Sequence, residues 1–211
     1  MNNYNKVFAV GGSIYTDKIE KTPEIAEALK KHSPVAVIVG AGKLKGNINA
    51  VQASEADKDL IGIQATRLNA KTLGTQMKAH PKIPKTTEEI KEVTQTGQNL
   101  VMGGLNPGFS TDAVAAITAE LLNAKLHIAT DINGVYTKDP SQKDAEKLDE
   151  VSITNLREIV SGNSSDAGSY ELIDKTALNI IERSKIETKV MEGTIENMEN
   201  PEDAEGTKIK P

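Results

Sequence analysis

Short runs of consecutive aliphatic residues recur along the chain of 211 residues, and each run predicts a β-strand that is buried on both faces. Four of these runs are prominent, and they occupy residues 7–10, 35–39, 100–102 and 126–129. The short segment 207–209 near the end of the sequence is expected to form a last strand. Because helical patterns separate the runs, the chain is predicted to form a layered α/β fold with a largely parallel sheet.

Apolar residues recur at helical spacing between these strands. The pair Thr22-Pro23 indicates a helix start with Thr22 as N-cap, because threonine caps helix N-termini and proline fits the first turn. The stretch 57–79 contains no proline and predicts one long helix. Similar spacing predicts a helix after Thr111-Asp112 and a late helix from Leu172 to Ile181. The acidic segment 191–205 is expected to be a surface helix or loop.

Composition and charge narrow the function classes. The chain has no cysteine, which excludes disulfides, thiolate zinc sites and cysteine nucleophiles. Its net charge of −5 and its short aliphatic runs argue against nucleic-acid and membrane partners, and a cytoplasmic location is expected. No cluster of histidines and carboxylates has metal-site spacing, so no permanent metal is expected. His127, inside an apolar run, is expected to be a hydrogen-bonded interior or edge residue rather than a ligand.

Glycines follow three of the four prominent strands, and they lie at 11–12, at 40 and 42, and at 103–104. The carboxyl ends of parallel strands meet at one edge of a sheet, where glycine lets backbone N–H groups approach phosphate oxygens. Neither the P-loop pattern nor Gly-x-Gly-x-x-Gly before a helix is present. One such loop could be an ordinary turn, but three together favour a polyphosphate or phosphate-ester ligand.

Two further segments carry candidate chemistry. Residues 103–112 read Gly-Gly-Leu-Asn-Pro-Gly-Phe-Ser-Thr-Asp and place hydroxyls, an amide and a carboxylate at the start of a helix. A capped helix is the simpler interpretation, but it does not explain the extra glycines and Pro107, which indicate a loop shaped around a ligand. Residues 130–140 contain an Asn-Gly pair and, on their own, favour a surface hairpin.

Together these segments resemble one known family, the uridylate (UMP) kinases of the archaeal type, which belong to the amino-acid-kinase superfamily. The matching segments are residues 11–13, 40–44, 59–70, 103–116, 133–140, 167–174 and 206–209. The resemblance therefore runs in order over nearly the whole chain.

The resemblance implies a single domain over residues 1–211, folded as a three-layer αβα sandwich with a central, mainly parallel sheet of the amino-acid-kinase or carbamate-kinase-like type. It further implies a homohexamer that transfers the γ-phosphoryl group of ATP to UMP in pyrimidine nucleotide biosynthesis, with Mg²⁺ accompanying ATP. The N-terminal part would bind mainly UMP, and the part from about residue 125 would bind mainly ATP.

The resemblance also assigns roles by position. The ATP-binding residues would be Gly11, Gly12, Ser13, Gly42 and Gly46 near the phosphates, and Thr130, Asp131, Tyr136 and Asp139 around adenine and ribose. The UMP-binding residues would be Ala41, Asp59, Leu105, Asn106, Pro107, Gly108, Phe109, Ser110 and Thr111. Within that set, Asp59 would accept hydrogen bonds from the ribose hydroxyls. Asp112 matches the superfamily's organising aspartate and would orient the cationic groups around the transferred phosphoryl.

Departures from the family pattern remove positive charge. Ala9 stands where the family often has lysine, while Ala41 and Gly46 replace a glycine and an arginine of the second loop. Lys43 and Lys45 lie in the same loop and are the catalytic candidates for replacing the arginine. The departures leave open a weak or inactive nucleotide- or oxyanion-binding or storage protein on the same fold. A kinase for another phosphate monoester or a carboxylate is a third interpretation, which the loop after the third strand disfavours.

Overall fold

A computed structural model of the chain describes residues 3–17, 19–162 and 172–211. The described strands are β1 (Lys6–Val10), β2 (Ala36–Val39), β3 (Leu100–Met102), β4 (Lys125–Thr130), β5 (Val135–Tyr136), β6 (Lys147–Leu148), β7 (Glu150–Ser152), β8 (Thr188–Glu192) and β9 (Gly206–Lys210). The described helices are α1 (Gly12–Thr16), α2 (Thr22–Lys30), α3 (Leu44–Asn49), α4 (Glu55–Met77), α5 (Thr87–Thr94), α6 (Thr111–Leu122), α7 (Ile153–Gly162), α8 (Lys175–Ser184) and α9 (Ile195–Glu199). A 3₁₀ turn, Ile19–Lys21, precedes α2.

Seven of these strands form one sheet in the order β3-β2-β1-β4-β8-β9-β7. The first five strands in that order are mutually parallel, β9 runs antiparallel to β8, and β7 is parallel to β9. The carboxyl ends of β1, β2 and β3 therefore lie at one edge of the sheet, together with the glycines that follow them. The mainly parallel sheet predicted from the aliphatic runs is confirmed.

The sheet is covered on both faces, which gives the three layers of an αβα sandwich. On one face, side chains such as Val7 and Ile38 pack into a core that includes α6 and α8. On the other face, Phe8 and Val37 pack into a core with α2 and α4. Because alternate residues of one strand enter different cores, the central strands are apolar at consecutive positions.

Hydroxyl and carboxylate side chains cap the N-termini of several helices. Ser110 Oγ accepts a hydrogen bond from Ala113 N at the start of α6, and Asp174 Oδ1 accepts bonds from the first turn of α8. The expected late helix therefore starts at Lys175, and Leu172 lies outside it. Thr22 is the first residue of α2 instead of its N-cap, because its Oγ1 donates to Ile19 O in the preceding turn.

The long helix expected over 57–79 is confirmed as α4, which is 23 residues long. The expectation for 191–205 is wrong at its start, because Met191 lies in the buried strand β8 and only the short α9 follows. This strand was not predicted from the sequence, because polar Thr188 and Lys189 interrupt the aliphatic run that is typical of the other central strands.

Two residues of the segment 130–140 form a small antiparallel ribbon with the next strand of the chain, across a longer loop. Strand β5 pairs with β6 and not with β4, and Thr137 N donates to Glu146 O beyond the ribbon. Gly134 has φ +141°, and a Cβ there would lie 2.6 Å from Thr207 Oγ1. The Asn-Gly pair therefore turns the chain against β9 and does not close a two-residue hairpin. Of the resembling segment 167–174, residues 167–171 lie outside the described residues.

Within the described ranges, no helix combines the length and the apolar character that crossing a membrane requires. The same residues contain no cluster of three or more histidines or carboxylates that could hold a metal ion.

Candidate active site

The first two glycine loops pack backbone against backbone at the carboxyl edge of the sheet. A Cβ at Gly12 would lie 1.9 Å from Gly42 N, and a Cβ at Gly40 would lie 2.6 Å from Gly12 N. Gly42 also has φ +61°, in the left-handed region that favours glycine. The close approach of these loops therefore depends on the absence of side chains.

Thr16, at the end of α1, joins the two loops. Its Oγ1 donates a hydrogen bond to Gly12 O at 2.9 Å and accepts one from Lys43 N at 3.0 Å. Thr16 could not be selected by sequence reasoning, because its partner Lys43 in the second loop lies 27 residues away. The hydroxyl fixes the relative position of two loops predicted to approach the same phosphates.

Three polar side chains of helix α4 form hydrogen bonds to the backbone of the second and third loops. Asn69 Nδ2 donates to Gly40 O at 2.8 Å, and Thr66 Oγ1 accepts from Gly104 N at 2.8 Å. Arg67 donates from Nε to Gly104 O at 3.2 Å. Burial lowers the pKa of Arg67 from its usual value. Because they bind backbone carbonyls and amides, these side chains determine the shape of the loops. Sequence reasoning did not select them. A signal was present, since Thr66 and Asn69 are buried polar residues on a helix.

The loop that follows β3 is held against α4 by an acidic side chain. Asp59 Oδ2 accepts a hydrogen bond from Gly108 N at 2.7 Å, and Gly108 has φ +81°. Asp59 therefore already accepts a hydrogen bond from the protein's own backbone at Oδ2, and its predicted interaction with a ribose would use Oδ1. The loop shape that Pro107 and the extra glycines indicated is fixed by this contact.

A cavity of about 270 Å³ opens between this loop, the second glycine loop and α4. Seven predicted site residues line it, namely Ala41, Lys45, Asp59, Asn106, Phe109, Ser110 and Thr111. Leu105, by contrast, is buried at 5% exposure, so its contribution to a ligand site would come from its backbone. The structure thus brings residues from three distant segments to one cavity.

Asp112 lies in the first turn of α6 beside a second acidic residue. Ser110 Oγ donates a hydrogen bond to Asp174 Oδ2, which holds the starts of α6 and α8 together. Burial and, to a smaller extent, the nearby Asp174 carboxylate raise the pKa of Asp112 to about 7, against the opposing effect of Lys45. Asp112 is therefore poised to gain negative charge when cations approach.

The two candidate lysines lie in different environments. Lys43 Nζ is 3.3 Å from Asp17 Oδ1, and both side chains are exposed. Lys45 lines the cavity and interacts electrostatically with Asp112. Gly46 is also exposed, and a Cβ there would meet nothing within 4 Å. The position of the family arginine is thus sterically open, whereas Ala9 is buried at 3% exposure.

The residues expected around adenine and ribose begin with Thr130, the last residue of β4, and the others follow it in the chain. Thr130 Oγ1 donates to Asp131 Oδ1, and Tyr136 donates from its hydroxyl to Asn133 Oδ1 at 2.6 Å. Hydrogen bonds from the Ser141 hydroxyl and amide lower the pKa of Asp139. Each of these side chains is bonded within its own turn. Thr130 is the one nearest the glycine loops, because Gly11 N is bonded to Ala129 O.

The chain is similar in sequence to members of one known protein family. The model of the amino acid kinase family matches residues 6–192. The chain belongs to the amino acid kinase family. This family member is 43% identical over 202 residues to a uridylate kinase of Archaeoglobus fulgidus. The matched region covers 91% of this chain and 92% of that relative. It is 39% identical over 200 residues to a uridylate kinase of Methanobrevibacter smithii, with 89% of each chain covered.

A solved structure of the same class matches the fold of this family member. The crystal structure of uridylate kinase from Archaeoglobus fulgidus superposes with a TM-score of 0.85 at 40% identity, over 97% of this chain and 99% of that chain. The resemblance noted from the glycine loops and the 103–116 segment is therefore confirmed at the level of sequence and of fold.

Proposed function

We propose that this amino acid kinase family member is a UMP kinase, which transfers the γ-phosphoryl group of ATP to UMP and releases UDP and ADP. The observation that carries the proposal is the cavity bounded by Ala41, Asp59 and the loop 105–111, which adjoins the glycine loops. The uridylate kinases compared above support it, because the chain spans about nine-tenths of each of them.

The two substrates meet at the carboxyl edge of the sheet in this proposal. The ATP phosphates lie against Gly11, Gly12, Ser13 and Gly42, beside Gly46, with adenine and ribose near Thr130, Asp131, Tyr136 and Asp139. UMP occupies the cavity, contacted by Ala41, Asp59 and the loop from Leu105 to Thr111. The N-terminal part of the single domain thus serves mainly UMP, and the part from about residue 125 mainly ATP.

Catalysis rests on alignment and charge neutralisation. The acceptor phosphate of UMP is already ionised near neutral pH, so no side-chain base is required. MgATP is the donor substrate, and its magnesium neutralises part of the phosphate charge. Lys45 adds positive charge at the acceptor cavity, Lys43 does so from the adjacent position, and Asp112 orients these cations.

Self-association is the second part of the proposal. Leu60, Ile61 and Leu68 are 49%, 42% and 62% exposed on α4, and their spacing places them along one side of the helix. Apolar side chains grouped in this way are typical of protein interfaces. We expect a cytoplasmic homo-oligomer, a hexamer by family resemblance, that buries this surface. Light scattering should give six chains for the wild type and fewer for Leu68→Lys; a monomeric wild type would contradict this expectation.

An acceptor panel tests the proposed function. ADP release from MgATP is measured with UMP, CMP, dUMP and no acceptor, for the wild type and for Asp112→Asn. We expect turnover with UMP that far exceeds the rate without acceptor, and loss of that turnover in Asp112→Asn with UMP binding retained. No turnover with any nucleotide, combined with tight UMP or ATP binding by calorimetry, would instead indicate a binding protein.

A further inference from the structure

A second cavity, of about 330 Å³, lies away from the glycine loops. It is lined by the first residues of β4, by the start of β8 and by the end of β9, which runs antiparallel to β8. These are at the amino-terminal edge of the parallel strands, whereas the glycine loops follow the carboxyl ends. The cavity therefore belongs to neither substrate site proposed above.

Three polar side chains stand in one row across the strands that line this cavity. His127 on β4 is in register with Lys189 on β8, and Lys189 is in register with Lys208 on β9. Residues in register on neighbouring strands project from the same face of the sheet. Like charges directly opposite each other on antiparallel strands destabilise the pair, so Lys189 and Lys208 need a compensating negative charge.

His127 was expected to be a hydrogen-bonded interior or edge residue; among the described residues it is interior and has no hydrogen-bond partner. It is 2% exposed, and neither ring nitrogen has a hydrogen-bond partner in the described part of the chain. Glu202 Oε1 lies 3.9 Å from Nε2. Burial lowers the pKa of His127 to about 4, so the ring is neutral at pH 7 and has one N–H to donate. A buried polar group without a partner calls for an explanation.

Lys189 is also buried, at 8% exposure. Its ammonium donates to the backbone oxygens of Pro201 and Glu202, at 3.0 and 2.9 Å. Among the described residues, no carboxylate lies within 4.0 Å of the ammonium of Lys189 or of Lys208. Neither ammonium therefore forms a direct ion pair within the described part of the chain, although Glu202 and Asp203 act on Lys189, and Lys208 acts on Glu150, at longer range.

The carboxylates near the cavity are already engaged with other lysines. Glu187 pairs with Lys125 at 2.8 Å, and Glu202 lies 3.6 Å from Lys6. Lys210, which also lines the cavity, pairs with Glu150. Within the described part of the chain, the lining thus has two lysines without a direct ion pair, Lys189 and Lys208, next to a His127 N–H without a hydrogen-bond partner.

We propose that this cavity binds a diphosphate group, held by the ammonium groups of Lys189 and Lys208 and by a ring N–H of His127. Lysine binds phosphate as a point charge, and a group with two phosphates can meet both ammonium groups at once. The group could come from inorganic pyrophosphate or from a nucleoside diphosphate, which share this chemistry. The inference stands independently of the proposed kinase function.

The test uses the ring resonances of the three histidines in NMR titrations of the full-length protein. Inorganic pyrophosphate, ADP and succinate are titrated separately, and the His127 resonance is assigned with His127→Gln. This readout separates the cavity from the glycine loops, which should also bind phosphates. We expect pyrophosphate to shift His127 in a saturable way while His80 stays unchanged.

Two lysine variants complete the test. Lys208→Ala should weaken the pyrophosphate response of His127 by about tenfold. Lys91→Ala, which removes an exposed lysine from α5, should leave it unchanged. An equal response to ADP would identify the diphosphate of a nucleotide as an accepted source, and a response to pyrophosphate alone would favour the free anion. No saturable shift of His127, an equal shift with succinate, or equal effects of the two lysine variants would overturn the proposal.

Discussion

The hydroxyl of Ser110 donates a hydrogen bond to the carboxylate of Asp174 while it accepts one from Ala113 N. Because Asp174 caps α8, this single hydroxyl joins the starts of two helices that are distant in sequence. The negative charge of Asp174 also acts on Asp112. The position and the ionisation of Asp112 thus depend on how α6 meets α8.

Replacement of Ser110 by alanine should cost both stability and activity. Ser110→Ala removes the cap of α6, and we expect a loss of about 1 kcal/mol in the free energy of unfolding. Turnover with UMP should fall by about tenfold or more, since Asp112 loses its fixed position. Thr86→Ala is the matched control, because Thr86 caps α5 in the same way outside the site. If both variants lose stability and keep full turnover, Ser110 has only a structural role.

Asp112→Asn should show opposite effects on activity and on stability. The pKa of Asp112 is raised from 3.8 to about 7, so the folded protein holds this proton more tightly than the unfolded chain between these pH values. The free energy of unfolding should therefore fall as pH rises from about 4 to about 7, and this contribution should level off above that range. At pH 8 the variant should be more stable by about 2 kcal/mol, allowing for screening of the half-buried group.

The same variant should have no stability advantage at pH 4, where the wild-type carboxyl is largely protonated in the folded state. Denaturant unfolding at both pH values measures the difference, and turnover at pH 8 should fall by roughly a hundredfold. A variant less stable than the wild type at pH 8 would show that Asp112 is stabilised as an anion.

The two loop lysines should differ in their importance. Lys45→Met should slow phosphoryl transfer by roughly tenfold or more, because Lys45 lines the cavity and acts on Asp112. Lys43→Met should slow it less, because Lys43 is paired with Asp17 at the surface. Single-turnover rates at saturating MgATP and UMP compare the two variants. A larger effect at Lys43, or none at either position, would remove the idea that Lys45 replaces the family arginine.

Restoring the arginine should be tolerated and should increase activity. A side chain at Gly46 meets open space, and Gly46 lies within α3, where glycine is less favourable than alanine by roughly 1 kcal/mol. Gly46→Arg should fold normally and raise kcat/KM for UMP several-fold. Gly46→Ala separates the helix effect from the charge: it should gain similar stability without a change in kcat/KM. Equal kinetics for the two variants would argue that Lys45 already suffices.

Sequence reasoning captured features that are local or that follow from sheet geometry. The glycines after β1, β2 and β3 were expected at one edge, and the backbone contact of Gly12 with Gly42 shows how close they are. Residue spacing was sufficient to predict α4, because the hydrogen bonds of a helix join residues that are close in sequence.

The missed features depend on contacts between distant segments. Strand β8 was hidden because Lys189 interrupts its apolar run, although the long side chain still reaches backbone oxygens. Thr16 and Arg67 act through the carbonyls of loops that only tertiary structure brings near. The contact of Asp174 with Ser110 was missed for the same reason, since the two residues lie 64 positions apart in the sequence.

The transfer of phosphorus itself tests the central claim most directly. Phosphorus NMR of MgATP and UMP incubated with the enzyme should show the β-phosphate of UDP growing as the γ-phosphate of ATP disappears, in equal amounts, and Asp112→Asn should slow both changes by roughly a hundredfold. Release of inorganic phosphate without UDP, or unchanged spectra despite binding of both nucleotides, would contradict the account.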